Sequence, residues 1–217
     1  MPPNAAGEPT EVEVKYGVDD PRHIRRLLLA EHPPVLAGFE PTGPAERRRM
    51  TDRYLDTDHI AGRLQASAYR ARLRRTHRSV ELTVKRRGTY QGALSERLEL
   101  KGEATRSRNP ARWPASDARD RLLAVAGPGP LIEVAAVRQQ RLVRHFRRGR
   151  TEVEVSLDAM ESLDGPRVVA RRWELEIELV EGDRNALLEV AGAFRRLPGV
   201  ADATGSKLDF ARAARRP

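Results

Sequence analysis

Cysteine is absent from this 217-residue chain. That excludes disulfides and any thiolate metal site and makes the cytoplasm the expected compartment. Long apolar runs are missing as well: the most hydrophobic stretch, at Leu27-Leu28-Leu29, is far too short to span a bilayer, so no membrane partner is expected. The opening MPPNAAGEPT has neither the basic n-region nor the apolar h-region of a secretory leader, and residues 1–9 read as a flexible tail. His23, His32, His59, His77 and His145 show no metal-ligand spacing. TGSK at 204–207 has P-loop residue types, but five residues rather than four separate Gly199 from Gly205, and Ser206 precedes Lys207.

What the chain has in excess is positive charge. Lys and Arg number 40 against 31 Asp and Glu, a net +9, which points to a polyanionic ligand, either nucleic acid or a small polyphosphate. Arg-rich runs such as RHFRRGR at 144–150 and the ARAARRP tail favour nucleic acid only weakly, because such runs usually lie on solvated faces. The 39% hydrophobic content supports a core, and no linker long enough to divide the chain appears, so residues 10–217 are expected to form one domain.

Four stretches carry helical spacing and punctuation. Asp19 or Asp20 with Pro21 opens the first, which runs to about His32, and Ser116 caps a second that Gly127-Pro128 ends. Asp183 starts a third, and a short helix follows Ser206. The remainder reads as strands at 8–18, 34–41, 46–56, 66–75, 78–87, 94–101, 131–147, 150–159 and 167–180. Trp173 shares the parity of Leu175 and Ile177 and is expected in the core, whereas Trp113 is expected as an exposed loop aromatic.

Six strands share one design, with charge on one face and apolar residues on the other. In EVEVKYGV, Glu11, Glu13 and Lys15 alternate with Val12, Val14 and Tyr16. Solvated outer faces would explain each strand singly. The strands are, however, sorted by sign: carboxylates at 11–13, 152–158 and 174–178, guanidinium groups at 70–74. Like charges in line are unfavourable without counterions, and such strands closed into a barrel would put the charges into a lumen built for a cation and for phosphate. The pattern alone leaves both readings open.

The order of the motifs is more specific. Glu11-Val12-Glu13-Val14-Lys15 forms ExExK, followed by Tyr54-Leu55-Asp56-Thr57, Arg70-Ala71-Arg72, Leu82-Thr83-Val84-Lys85, RLEL with Arg97 and Glu99, RQQR with Arg141, EVSLD with Asp158, LEIEL with Glu176 and Glu178, and GSK with Lys207. In this order the chain resembles the CYTH family, the triphosphate tunnel metalloenzymes that include class IV adenylyl cyclases, thiamine triphosphatases and inorganic triphosphatases. Two departures stand out: Lys101 occupies a place where relatives often carry an acid, and Gln139 and Gln140 precede Arg141, which leaves Arg138 or Arg144 as alternative sources of charge there.

The resemblance implies an α+β fold, a closed antiparallel β-barrel of about eight strands with helices packed outside. It implies a triphosphatase, dependent on Mg²⁺ or Mn²⁺, acting on inorganic triphosphate or a nucleoside triphosphate. Its phosphate ligands would be Lys15, Arg70, Arg72, Lys85, Arg141 and Lys207. Metal ligands would be Glu11, Glu13, Asp158, Glu176 and Glu178, with Glu99 a further tunnel acid. The catalytic set would be Glu11, Glu13, Lys15, Arg72, Glu176 and Glu178. The expected partner is a small-molecule triphosphate rather than nucleic acid, with the chain a monomer or homodimer. An adenylyl cyclase and a non-enzymatic polyanion-binding module are the alternatives.

Overall fold

The structure, a computed structural model, describes residues 9–203 and 205–215. The tail expected at residues 1–9 therefore lies, apart from Pro9, outside the described residues, as do Thr204 of the TGSK segment and the last two residues of the chain.

Eight strands close into a barrel. They are β1 (Thr10–Val18), β3 (Glu46–Asp56), β4 (Tyr69–Arg75), β5 (Val80–Arg86), β7 (Leu94–Glu103), β8 (Ile132–Arg148), β9 (Thr151–Asp164) and β10 (Arg167–Glu181). The order around the ring is β1-β10-β9-β8-β3-β4-β5-β7, all antiparallel, and β7 pairs back onto β1 with Glu11 opposite Arg97. Closure leaves no open sheet edge in the ring. The long strands β8, β9 and β10 are joined by two-residue loops whose first position is Gly149 (φ 57) or Gly165 (φ 55), the positive-φ glycine that a type II′ hairpin turn requires. Short strands β2 (Glu40–Pro41), β6 (Thr89–Gln91) and β11 (Val200–Asp202) pair outside the ring with β8, β7 and β1.

Among the described residues five α-helices lie outside the strands: α1 (Arg22–Leu29), α2 (Arg63–Ala66), α3 (Asp117–Ala126), α4 (Arg184–Arg195) and α5 (Lys207–Ala213). The outward apolar faces supply the core. Val12, Val14 and Tyr16 of β1 and Leu175 and Ile177 of β10 are buried against Ile24 and Leu28 of α1 and Leu187, Val190 and Phe194 of α4. Tyr16 also donates its hydroxyl to the Ala191 carbonyl at 3.1 Å. Leu73, Leu82 and Leu100 pack under Leu122 of α3 and Leu64 of α2. Each such side chain contributes roughly 1.5–3 kcal/mol on leaving water.

Helix α5 is different. Its Leu208 and Ala211 pack with Tyr54, Val137 and Met160, which share strand parity with the lumen residues Asp52, Gln139 and Asp158. It therefore covers one end of the lumen. Ser206 caps it, accepting from Asp209 N at 3.2 Å while Asp209 accepts from Ser206 N at 2.8 Å, a capping box. Ser116 and Asp183 cap α3 and α4 as expected. At α1 the expected side-chain cap is replaced: Pro21 stands at the N-cap, and Asp20 instead accepts from the backbone and guanidinium of Arg22.

Other expectations change. Of the strand expected at 34–41, only Glu40–Pro41 joins the sheet, because Pro33 and Pro34 carry no N–H and Ala37 and Gly38 turn the chain with positive φ so that Leu36 bridges back onto Phe39. Trp113 is buried in the α3 cluster rather than exposed, and its indole N–H donates to the Ser107 carbonyl at 2.8 Å. Trp173 is only partly buried, packed against the core beneath α1 and α4.

Candidate functional site

The charged faces turn inward. Glu11, Glu13, Lys15, Glu99, Asp158, Glu174, Glu176 and Lys207 are all buried, yet every one lies on a strand face or helix end that looks into a cavity of about 990 Å³ or against its wall. An unpaired ion in such a place costs several kcal/mol, so the carboxylates and cations are expected to answer one another. They do so in three groups.

The first group is a knot between β8, β9, β10 and α5. Arg141 grips Asp158 with two hydrogen bonds, Nε at 2.7 Å and Nη2 at 2.6 Å, and reaches Glu176 as well. Lys207 joins Asp158 at 2.6 Å and Glu176 at 3.0 Å. Lys15 comes from β1 to within 2.9 Å of Glu176 and 3.5 Å of Glu174. Burial works to raise the Asp158 and Glu176 carboxyls, but the neighbouring Lys and Arg charges outweigh it and hold both below the carboxylate range. The Lys15 ammonium is shifted the other way: burial opposes its charge, and Glu13, Glu174 and Glu176 more than restore it. Burial dominates at Glu174, whose carboxyl is pushed up.

The second group is a carboxylate triad. Oxygens of Glu11, Glu99 and Glu178, from β1, β7 and β10, lie within 4.8 Å of one another. Lys85 donates to Glu11 at 2.7 Å and stands 3.0 Å from Glu99, while Arg97 bridges Glu11 at 2.8 Å and Glu13. Glu178 is the exception: among the described residues no cationic group lies within ion-pair distance of it. Burial, together with the Glu11 and Glu99 charges, pushes its carboxyl up to about 8. Three convergent carboxylates, one of them without a cation in range and carrying a displaceable proton, are a donor set that a hard divalent cation takes.

The third group sits on β3 and β4. Asp52, fully buried, accepts from Arg74 through both Nε and Nη2 at 2.8 Å, from Arg72 at 3.3 Å, and from Gln139. Despite burial, the Arg72 and Arg74 charges hold its carboxyl well below the usual range. Arg72 also donates to Thr83 at 2.8 Å, while its buried Nε–H has no hydrogen-bond partner among the described residues.

Of the residues singled out in the sequence, Lys15, Arg141, Lys207, Asp158 and Glu176 meet in the knot, and Glu11, Glu99, Glu178 and Lys85 meet at the triad. Glu13 stands beside both, 3.4 Å from Lys15 and held by Arg97. Arg70 also borders the cavity and pairs with Asp209 at 3.1 Å. The charge near RQQR comes from Arg141: Arg138 faces outward onto Glu161, and Arg144 donates to the Leu28 and Ala30 carbonyls. Lys101 lies 3.1 Å from Glu99. Sequence reading named Arg97, Gln139 and Glu174 without giving them a role in the site, and passed over Asp52. Their signal was parity, since each lies two residues from a residue that was singled out, on the same strand face.

The CYTH domain family profile matches residues 9–207. HpAC1 from Hippeastrum, an adenylyl cyclase candidate described as having a dominant triphosphatase activity, superposes with a TM-score of 0.68 at 17% identity over 95% of this chain and 97% of its own. Adenylate cyclase candidates from Bacillus halodurans (TM-score 0.56, 13% identity, 93% and 97% coverage) and Vibrio parahaemolyticus (0.52, 16%, 95% and 99%) share the fold. No curated protein matches the chain. With its ordered motifs inside a closed eight-stranded barrel, the chain belongs to the CYTH domain family.

Proposed function

We propose that this protein is a metal-dependent hydrolase of triphosphate compounds, with inorganic triphosphate or a nucleoside triphosphate bound in the barrel lumen. One observation carries the reading: a single cavity holds an oxygen-only triad beside a wall of guanidinium and ammonium groups. The dominant triphosphatase activity described for HpAC1 favours hydrolysis over cyclisation.

In this reading Lys15, Arg70, Arg72, Lys85, Arg141 and Lys207 bind phosphate oxygens, and Glu11, Glu13, Asp158, Glu176, Glu178 and Glu99 form the acidic set. The triad of Glu11, Glu99 and Glu178 fits Mg²⁺ or Mn²⁺ best, because Asp158 is already held by two cations. When bound, the cation would supply Lewis-acid polarisation of a phosphoryl oxygen. The protein's own part is electrostatic. Arg72 offers a partnerless N–H to an incoming oxygen, and Asp52 keeps its guanidinium aimed inward. Lys15, Arg141 and Lys207, fixed by their carboxylates, form a positive array that stabilises charge developing on the leaving oxygen.

The decisive experiment assays phosphate release from tripolyphosphate and from ATP with Mg²⁺ or Mn²⁺. Release from either is expected, and Arg72→Ala should lower kcat/KM by about 10²–10³-fold with an unchanged circular dichroism spectrum. Cyclic AMP and pyrophosphate formed from ATP without phosphate release would instead make the protein a cyclase, and no turnover of either compound would make it a binding module.

A further inference from the structure

The outer face of the barrel carries a second concentration of charge that the lumen does not use. On β3, residues of odd number from 49 to 53 lie on the outer face, opposite in parity to buried Asp52, with Arg49 at the rim where it also borders the lumen. Thr51 sits at the centre. Arg75 of β4 is its cross-strand partner on one side and Arg138 of β8 on the other. Arg49 and Arg53 flank it two residues before and after on β3 itself. Four arginines thus surround one short side chain, the lateral pair one strand spacing away (about 4.8 Å) and the axial pair about 6.8 Å away.

Like charges placed directly across and along strands repel one another, and a sheet face without a ligand gains by interspersing acids. Here only two of the four are answered: Arg53 by Glu133 and Arg138 by Glu161. Arg49 and Arg75 are exposed and make no ion pair or side-chain hydrogen bond among the described residues. The small central residue leaves a groove of about 430 Å³, bordered by the four arginines, Thr51 and Gln140. It begins at the rim of the lumen, which Arg49 also borders, and runs onto the outer sheet face.

From this arrangement we propose that the β4-β3-β8 outer face is a second anion site, which takes a compact phosphate anion such as orthophosphate or pyrophosphate. Guanidinium forks match phosphate oxygens two at a time, and the Thr51 hydroxyl lies at the floor to donate one more bond. The observations favour a compact anion over a nucleic-acid strand. Among the described residues that border the groove none is aromatic, so there is no platform on which a base could stack. Glu133 and Glu161 flank the groove, and their carboxylates would repel the neighbouring phosphates of an extended chain.

The test is calorimetric titration with pyrophosphate in the presence of EDTA, on the wild type and on three variants: Arg72→Ala, Arg49→Ala/Arg75→Ala, and the triple combination. The outer site should persist in Arg72→Ala and be weakened at least about tenfold in the triple variant, as expected for losing two charge-assisted contacts. On the wild type, pyrophosphate should shield Arg49 and Arg75 from phenylglyoxal, read by mass spectrometry, which makes the result independent of how the variants fold. Unchanged affinity and stoichiometry in Arg49→Ala/Arg75→Ala and in the triple variant, or no shielding, would overturn the proposal. Shielding by a short single-stranded DNA but not by pyrophosphate would overturn it as well.

Discussion

The lumen holds two acidic clusters that look alike in sequence and behave oppositely in space. Asp158, Glu174 and Glu176 are met by Lys15, Arg141 and Lys207, and the charges close into a knot that ties five elements together. Glu11, Glu99 and Glu178 draw their cations from Lys85, Arg97 and Lys101, and Glu178 has none in ion-pair range among the described residues. In the first cluster each carboxylate has a cation within ion-pair range. The second leaves Glu178 without a cation in ion-pair range, and that gap, rather than the number of carboxylates, is what the proposed divalent cation would fill.

The comparison breaks most visibly at Arg141. Arg141→Ala would leave Asp158 and Glu176 buried with less than their share of positive charge, and urea denaturation should show a loss of about 3–5 kcal/mol. If the knot were merely incidental, the loss would resemble that of a surface ion pair.

Next in size is Asp52, which belongs to neither cluster but aims two arginines into the lumen. Asp52→Asn keeps the shape and removes the charge, so we expect about 1–3 kcal/mol of destabilisation together with a rise in KM for tripolyphosphate. A change in stability with KM untouched would show that Asp52 holds the wall without orienting Arg72.

Glu178 sharpens the contrast through pH. Its folded carboxyl is pushed up to about 8, above the ordinary 4.5, so between those values the unfolded chain binds fewer protons than the native one. Stability therefore falls as pH rises through that window. In metal-free protein Glu178→Gln should remove this slope, raising the melting temperature at pH 8 relative to wild type and leaving it nearly unchanged at pH 5. At pH 7, Mg²⁺ or Mn²⁺ should displace roughly one proton from the wild type, seen by calorimetry in buffers of different ionisation heat, and fewer from Glu178→Gln.

The smallest effect belongs to Lys101, whose side chain is 46% exposed where it pairs with Glu99. Lys101→Ala should cost under about 1 kcal/mol. A tighter apparent cation affinity at low salt would show that this lysine belongs to the triad's charge balance.

Much of this was legible from the chain. Alternation within EVEVKYGV, TEVEVSLD and RRWELEIELV set which residues share a face, because side-chain period is a local property of extended backbone. Ser116, Asp183 and Ser206 announced their helices for the same local reason. Segments governed by irregular backbone read less well. PVLAGFEP at 34–41 looked like a strand and joins the sheet only at Glu40–Pro41, and Trp113 is drawn into a core that loop composition could not disclose.

The sorting of charge by strand suggested that counterions must come from outside. Within the lumen most of those charges instead find counterions in the chain itself. Once the sheet closes, the basic strands β4 and β5 stand across from or beside acidic β1 and β7, and most charges meet a partner within the chain. Which carboxylate finds which cation depends on barrel closure, on register and on where α5 delivers Lys207, all of them long-range outcomes. The sequence by itself determined the inward charged face, the outward apolar face and the family to which their order belongs. Only the tertiary structure decided that Asp158 is neutralised, that Glu178 is not, and that Thr51 lies in a ring of arginines, because these depend on residues far apart in the chain and neighbours only across strands.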